Sequence, residues 1–291
     1  MESNLYASRI FTEPGGFPSG IEGPACDSEG NLYAVNYARR HTIGKVTPAG
    51  ECELFVELPE GSSGCGIRFN RQGNMLVADH IGHHILEVDI RTRQVAVRVF
   101  EPAMNQPNDL AIADNGVLFA SDPNWRDSTG QLWRIGPDNR AELLEAGMGT
   151  TNGIEISPDG RVLYVNETRQ RLIWAYDLSA SMDISRKRLH ASFPDYGLDG
   201  MRCDAAGNLY VTRHGKGSIA VLSPEGELLR EIVLHGKECT NLTFGGPDGR
   251  TCYVTVADTG NIETFRTEAA GRCWLQRQEK YGFEKKEESI E

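Results

Sequence analysis

Glu22, Cys65, Asn108, Asn152, Asp199 and Asn241 follow one another along this chain at intervals of 43, 43, 44, 47 and 42 residues. Two are carboxylates and three are carboxamides, all hard oxygen donors, and no Lys or Arg stands among them. Brought to one point, the two carboxylates would repel each other and lose hydration. A bound divalent cation removes that conflict. Glu22 and Asp199 balance its charge, and Asn108 and Asn152 add neutral oxygens. This donor set suits Ca²⁺, Mg²⁺ or Mn²⁺ better than thiol-loving metals. Calcium is the first choice, with Mn²⁺, Mg²⁺ and Zn²⁺ as alternatives. Hydrogen bonding to backbone at strand ends explains one such residue, but not a set in register.

The register comes from a repeat. Each of these residues heads a copy of one pattern: EGPACDSEGNLYAVN from Glu22, CGIRFNRQGNMLVAD from Cys65, NDLAIADNGVLFASD from Asn108, NGIEISPDGRVLYVN from Asn152, DGMRCDAAGNLYVTR from Asp199 and NLTFGGPDGRTCYVT from Asn241. In each, a Gly falls eight residues after the head, where a tight turn between two strands needs positive φ. Weaker alternating segments follow and supply further strands. Four short strands with their turns fill about 40–45 residues, one blade of a β-propeller. The fold class predicted is therefore all-β, a six-bladed β-propeller with a metal site in the central channel. Its innermost strands carry the six heads to the axis. Residues 1–278 are expected to form one propeller domain, with the segment before Glu22 completing the last blade, and 279–291 a charged C-terminal tail. Ile112, Ile156, Val165 and Val211 are expected in the core, and Cys26 and Cys203 as packed thiols.

A net charge of −11 and the lack of a basic run outside the mixed-charge tail argue against nucleic acid as a partner. No window approaches a membrane-spanning apolar run, and the N-terminus lacks the pattern of a secretory signal. A cytoplasmic protein that does not enter membranes is the expectation. Seven Cys without a CxxC pair fit reduced thiols. Oligomeric state is left open.

If the first strand of each repeat runs away from the metal, the second returns to it, and residues about 14 to 19 after each head form the pocket wall. Tyr37, His80, Asn124, Trp125 and Glu167 are the substrate-binding candidates from this set, joined by Gln106 and Cys65 beside the heads. The aromatic faces of Tyr37 and Trp125 point to a pocket wall of low polarity.

The stretches IEGPACDSEGNLY, PNDLAIADNGVLFASDP, TNGIEISPDGRVLYV, LDGMRCDAAGNLYV and TNLTFGGPDGRTCYVT resemble the senescence-marker-protein, gluconolactonase and luciferin-regenerating-enzyme family over roughly residues 18–260. The resemblance implies a metal-dependent lactonase. It assigns metal ligation to Glu22, Asn152 and Asp199 and places Asn108 on the metal or on its water and substrate. By the same resemblance, Asp199 and Asn108 are the catalytic residues and Asp199 the general base. Gln106 stands where sugar-lactone members carry an Arg, and Cys65 where paraoxonase-type propellers carry a His. Cys65 thus reads as a small residue making room for substrate, or as a nucleophile if its pKa is lowered. Glu167 and His80 are alternative bases. The partner expected is a small lactone or ester. A non-catalytic, metal-stabilised binding propeller and a phosphotriesterase-like hydrolase are the alternatives.

Overall fold

The computed structural model describes residues 5–18 and 20–278. Six four-stranded antiparallel sheets follow one another along the chain. Their innermost strands are Glu22–Cys26, Gly64–Phe69, Leu110–Ile112, Thr151–Ile156, Met201–Cys203 and Cys239–Gly245. In the first five sheets the strands lie in sequence order from the axis outward. The sixth takes its outermost strand from the start of the chain: Arg9–Ile10 pairs with Asn261–Arg266. A strand from one end of the chain thus completes the blade built at the other, as the repeat count predicts. The proposed tail, 279–291, lies outside the described residues.

Why the blades form a ring is visible in the core. Alternation gives each sheet two apolar faces, and each face packs on the next blade. Ala25, Val35 and Ile43 of the first blade meet Ile67, Val77 and Leu86 of the second. The sequence of such contacts continues around to Phe17, Ile21 and Leu32 against Tyr253 and Ile262, which joins the sixth blade to the first. Ile156, Val165, Val211, Cys26 and Cys203 are buried as expected, and all seven cysteines are free. Ile112 is a correction. It is only half-buried, because its strand has three residues and opens at once onto a cavity below the channel.

The seven residues Arg272–Gln278 form a short helix, which hydropathy did not reveal. The helix lies across the end of the channel remote from the heads. Arg272 donates to Glu155 and to the Ile112 carbonyl, and Gln276 donates to Asp114.

Candidate active site

The heads sit at the start of the innermost strands, and local irregularity aims them. Pairing shifts by a β-bulge between Glu22 and Ala25, Gly64 and Ile67, Thr151 and Ile154, and Cys239 and Leu242. A bulge leaves residues unpaired and re-aims their side chains, so Cys65, Asn152 and Asn241 leave the ladder, while Glu22 stays paired with Val35 at its edge and Asn108 and Asp199 stand just before their strands. Close approach of the strands then needs the glycine that follows. A Cβ on Gly23, which has φ +61°, would lie 2.0 Å from the Cys65 carbonyl oxygen, and one on Gly200 would lie 2.0 Å from Asn241 Oδ1. No side chain fits at either position.

Among the heads, the acids and amides do meet. Asp199, from the fifth blade, lies close to Glu22 of the first and Asn152 of the fourth. Asn241 Nδ2 donates to Glu22 Oε2 at 3.0 Å, while its own Oδ1 accepts the Leu242 N–H. Asn241 therefore positions Glu22. Asn152 Nδ2 donates to Thr168 Oγ1 at 3.0 Å. The Oδ1 atoms of Asn108 and Asn152 are buried without any hydrogen-bond partner, which is costly for an amide oxygen. Burial first, and then the Asp109 carboxylate, pushes the Glu22 pKa up to about 7. Burial and the neighbouring Glu22 raise Asp199 well above the carboxylate range. Two strained acids and two unpartnered amide oxygens form an all-oxygen donor set. In its chemistry this donor set fits a hard divalent cation.

Below this set lies a charged layer that sequence reasoning missed. Arg68 pairs with Asp109 at 3.0 Å, Arg202 with Asp109 at 3.3 Å, and Arg272 with Glu155 at 3.2 Å, all of them buried. Arg202 lowers the pKa of Glu22 but does not offset its burial. The signal was present: Arg68, Glu155 and Arg202 each stand three residues after a head, at one offset of the repeat.

The wall residues divide. Gln106 and Trp125 come together, with the Trp125 N–H donating to Gln106 Oε1 at 3.4 Å. Asp122 accepts the N–H groups of Asn105 and Gln106 and the Trp133 indole N–H, so it clamps the loop leading to Asn108. Asn124 is occupied within its own loop by Asp127. Glu167 Oε1 accepts the Gly149 N–H at 2.9 Å. Tyr37 turns outward: its hydroxyl donates to the Cys52 carbonyl of the outermost strand and its ring packs on Phe17. His80 is held by a backbone bond to Ser63, and burial lowers its pKa, which leaves the imidazole neutral at pH 7.

Cys65 is buried beside the acids. Burial, then Glu22, Asp199 and Asp109, raises its pKa well above the usual thiol value. A thiol in that field stays protonated and is a poor nucleophile. Cys65→Ser is therefore expected to keep kcat/KM for a hydrolysed substrate within about threefold, and iodoacetamide to leave the wild type active. A loss of two orders of magnitude in the serine variant would restore the nucleophile reading.

Known proteins share this architecture. The gluconolactonase of Zymomonas mobilis is 29% identical over 286 residues, covering 86% of this chain and 79% of its own length. The pentonolactonase XacC of Haloferax volcanii is 29% identical over 242 residues, 81% of each chain. A crystal structure of regucalcin from Agrobacterium tumefaciens, described as a calcium-binding protein, superposes with a TM-score of 0.79 at 20% identity, over 91% of this chain and 95% of that one. The profile described as SMP-30/Gluconolactonase/LRE-like region matches residues 3–258, and the chain, with its six blades and six heads in register, belongs to that family.

Proposed function

We propose that this chain is a divalent-cation-dependent lactonase. The observations that carry the reading are the approach of Glu22, Asn152 and Asp199 to one another and the buried, unpartnered amide oxygens of Asn108 and Asn152. Glu22, Asn108, Asn152 and Asp199 would hold the cation, and Ca²⁺ fits their oxygens best. Bound there, it would supply Lewis-acid polarisation of the lactone carbonyl. Asn241 keeps Glu22 in place through its amide N–H, and Thr168 does the same for Asn152. Asp199, which a bound cation would keep as the carboxylate, takes the proton of the attacking water, since among the carboxylates at the mouth Glu167 is engaged by Gly149. Gln106 and Trp125, joined to each other, orient the substrate ring.

The residue at the substrate position preceding Asn108 is a neutral Gln, so a substrate less polar than a sugar lactone is favoured. The test is a panel of aliphatic, aromatic and sugar lactones alongside linear esters and a phosphotriester, each with Ca²⁺, Mn²⁺, Mg²⁺ or Zn²⁺. Cation-dependent opening of neutral lactones at kcat/KM at least tenfold above that for linear esters is the expected result. Preference for the phosphotriester, or turnover indifferent to cation, refutes the proposal.

A further inference from the structure

On the face opposite the heads, a cavity of about 720 Å³ opens between the first two blades and the C-terminal helix. Eight basic and four acidic side chains line it, in a protein whose net charge is −11. Its roof is the buried layer beneath the heads. There, Arg68, Arg202 and Arg272 face two buried carboxylates, Asp109 and Glu155, and the exposed Asp114. The pairing is incomplete in a specific place. Arg202 is 1% exposed, and its Nη2 has no hydrogen-bond partner. At the rim, Arg277 uses one nitrogen on the Phe244 carbonyl while its Nε is buried and unpartnered. A buried guanidinium nitrogen without an acceptor is costly, and the planar fork matches the geometry of an oxyanion.

We infer that this cavity is a second ligand site, which takes a small organic anion through a carboxylate or phosphate group. The oxyanion sits against Arg202 and Arg277, and the aromatic walls supplied by Tyr33, Phe55 and Phe69 cover its carbon skeleton. The volume lies within the range of small-molecule sites. Nothing in the site depends on the lactonase reading, because the two ends of the channel are separated by the ionic layer.

The experiment titrates sulfate, and separately malonate, up to 10 mM into the full chain by calorimetry and thermal melting. Sodium chloride of matched ionic strength is the control, and low concentration keeps general salting effects small. Saturable binding of either anion, with a Tm rise that chloride does not give, is expected. Arg71 is an exposed residue of the cavity lining, so Arg71→Gln/Arg277→Gln changes only the rim and should weaken it at least fivefold with the fold intact; Arg202→Met should abolish it. Stronger binding of sulfate assigns the site to phosphate-bearing ligands, and stronger binding of malonate to carboxylates. A melting shift no larger than that of chloride, or binding unchanged in the rim variant, overturns the inference.

Discussion

Asp199→Asn is expected to lower kcat/KM for lactone opening by about a thousandfold or more, the loss of a cation ligand compounding that of a general base. The same substitution should make the cation-free protein more stable at pH 8. In the wild type, burial holds both acids up, and a neighbouring carboxylate adds to it, Asp109 at Glu22 and Glu22 at Asp199. An amide at 199 removes one charge and can still hydrogen-bond to Glu22. Function and stability then move in opposite directions, as they do where a site stores unfavourable electrostatics. Steady-state kinetics and thermal melting on one preparation read both. A variant that loses activity and also melts earlier in chelator would show that Asp199 matters for folding rather than for reaction. Retained turnover would remove it from the mechanism.

The second large effect concerns cation removal and pH. The Glu22 pKa is about 7 in the folded chain, against an ordinary value of 4.5. The folded state thus binds the proton more tightly than the unfolded state, so this group's contribution to stability is fully present below pH 4.5 and is lost as the pH rises through 7. From Glu22 alone the loss is on the order of 3 kcal/mol, and Asp199 acts in the same direction. Chelator-treated protein should therefore melt several degrees lower at pH 8 than at pH 6. Added Ca²⁺ competes with those protons, so the gain in Tm should grow with pH and reverse the slope. Calorimetry from pH 5.5 to 8, with chelator and with 1 mM Ca²⁺, checks this. Equal stability at both ends of that range, with no gain from Ca²⁺, would mean that the acids are satisfied without a cation.

The repeat made much of the fold legible. Six turn glycines at one offset count six blades, since a tight turn has few chemical solutions and recurs whenever the blade does. The same count placed four heads on inner strands and two, Asn108 and Asp199, just before them, and identified the start of the chain as the strand completing the last blade. Two elements escaped for opposite reasons. Arg272–Gln278 is held by polar contacts from Arg272 and Gln276 to the propeller, so it left no apolar periodicity to read. Tyr37 and Glu167 satisfied the spacing of wall residues but turned to local partners, Cys52 and Gly149, and spacing does not report side-chain direction.

What the sequence determined by itself, then, was position along the axis: a strict repeat fixes which residues share a level of the channel, because equivalent residues of a closed ring occupy equivalent heights. It could not say how those residues divide the work between them. That Asn241 supports Glu22, that burial and then three carboxylates keep Cys65 protonated and that Arg202 keeps a nitrogen unpaired depend on contacts between blades more than forty residues apart. Hydrogen bonds and buried charges are settled by ångström-scale approach and desolvation, and only the packed ring sets those.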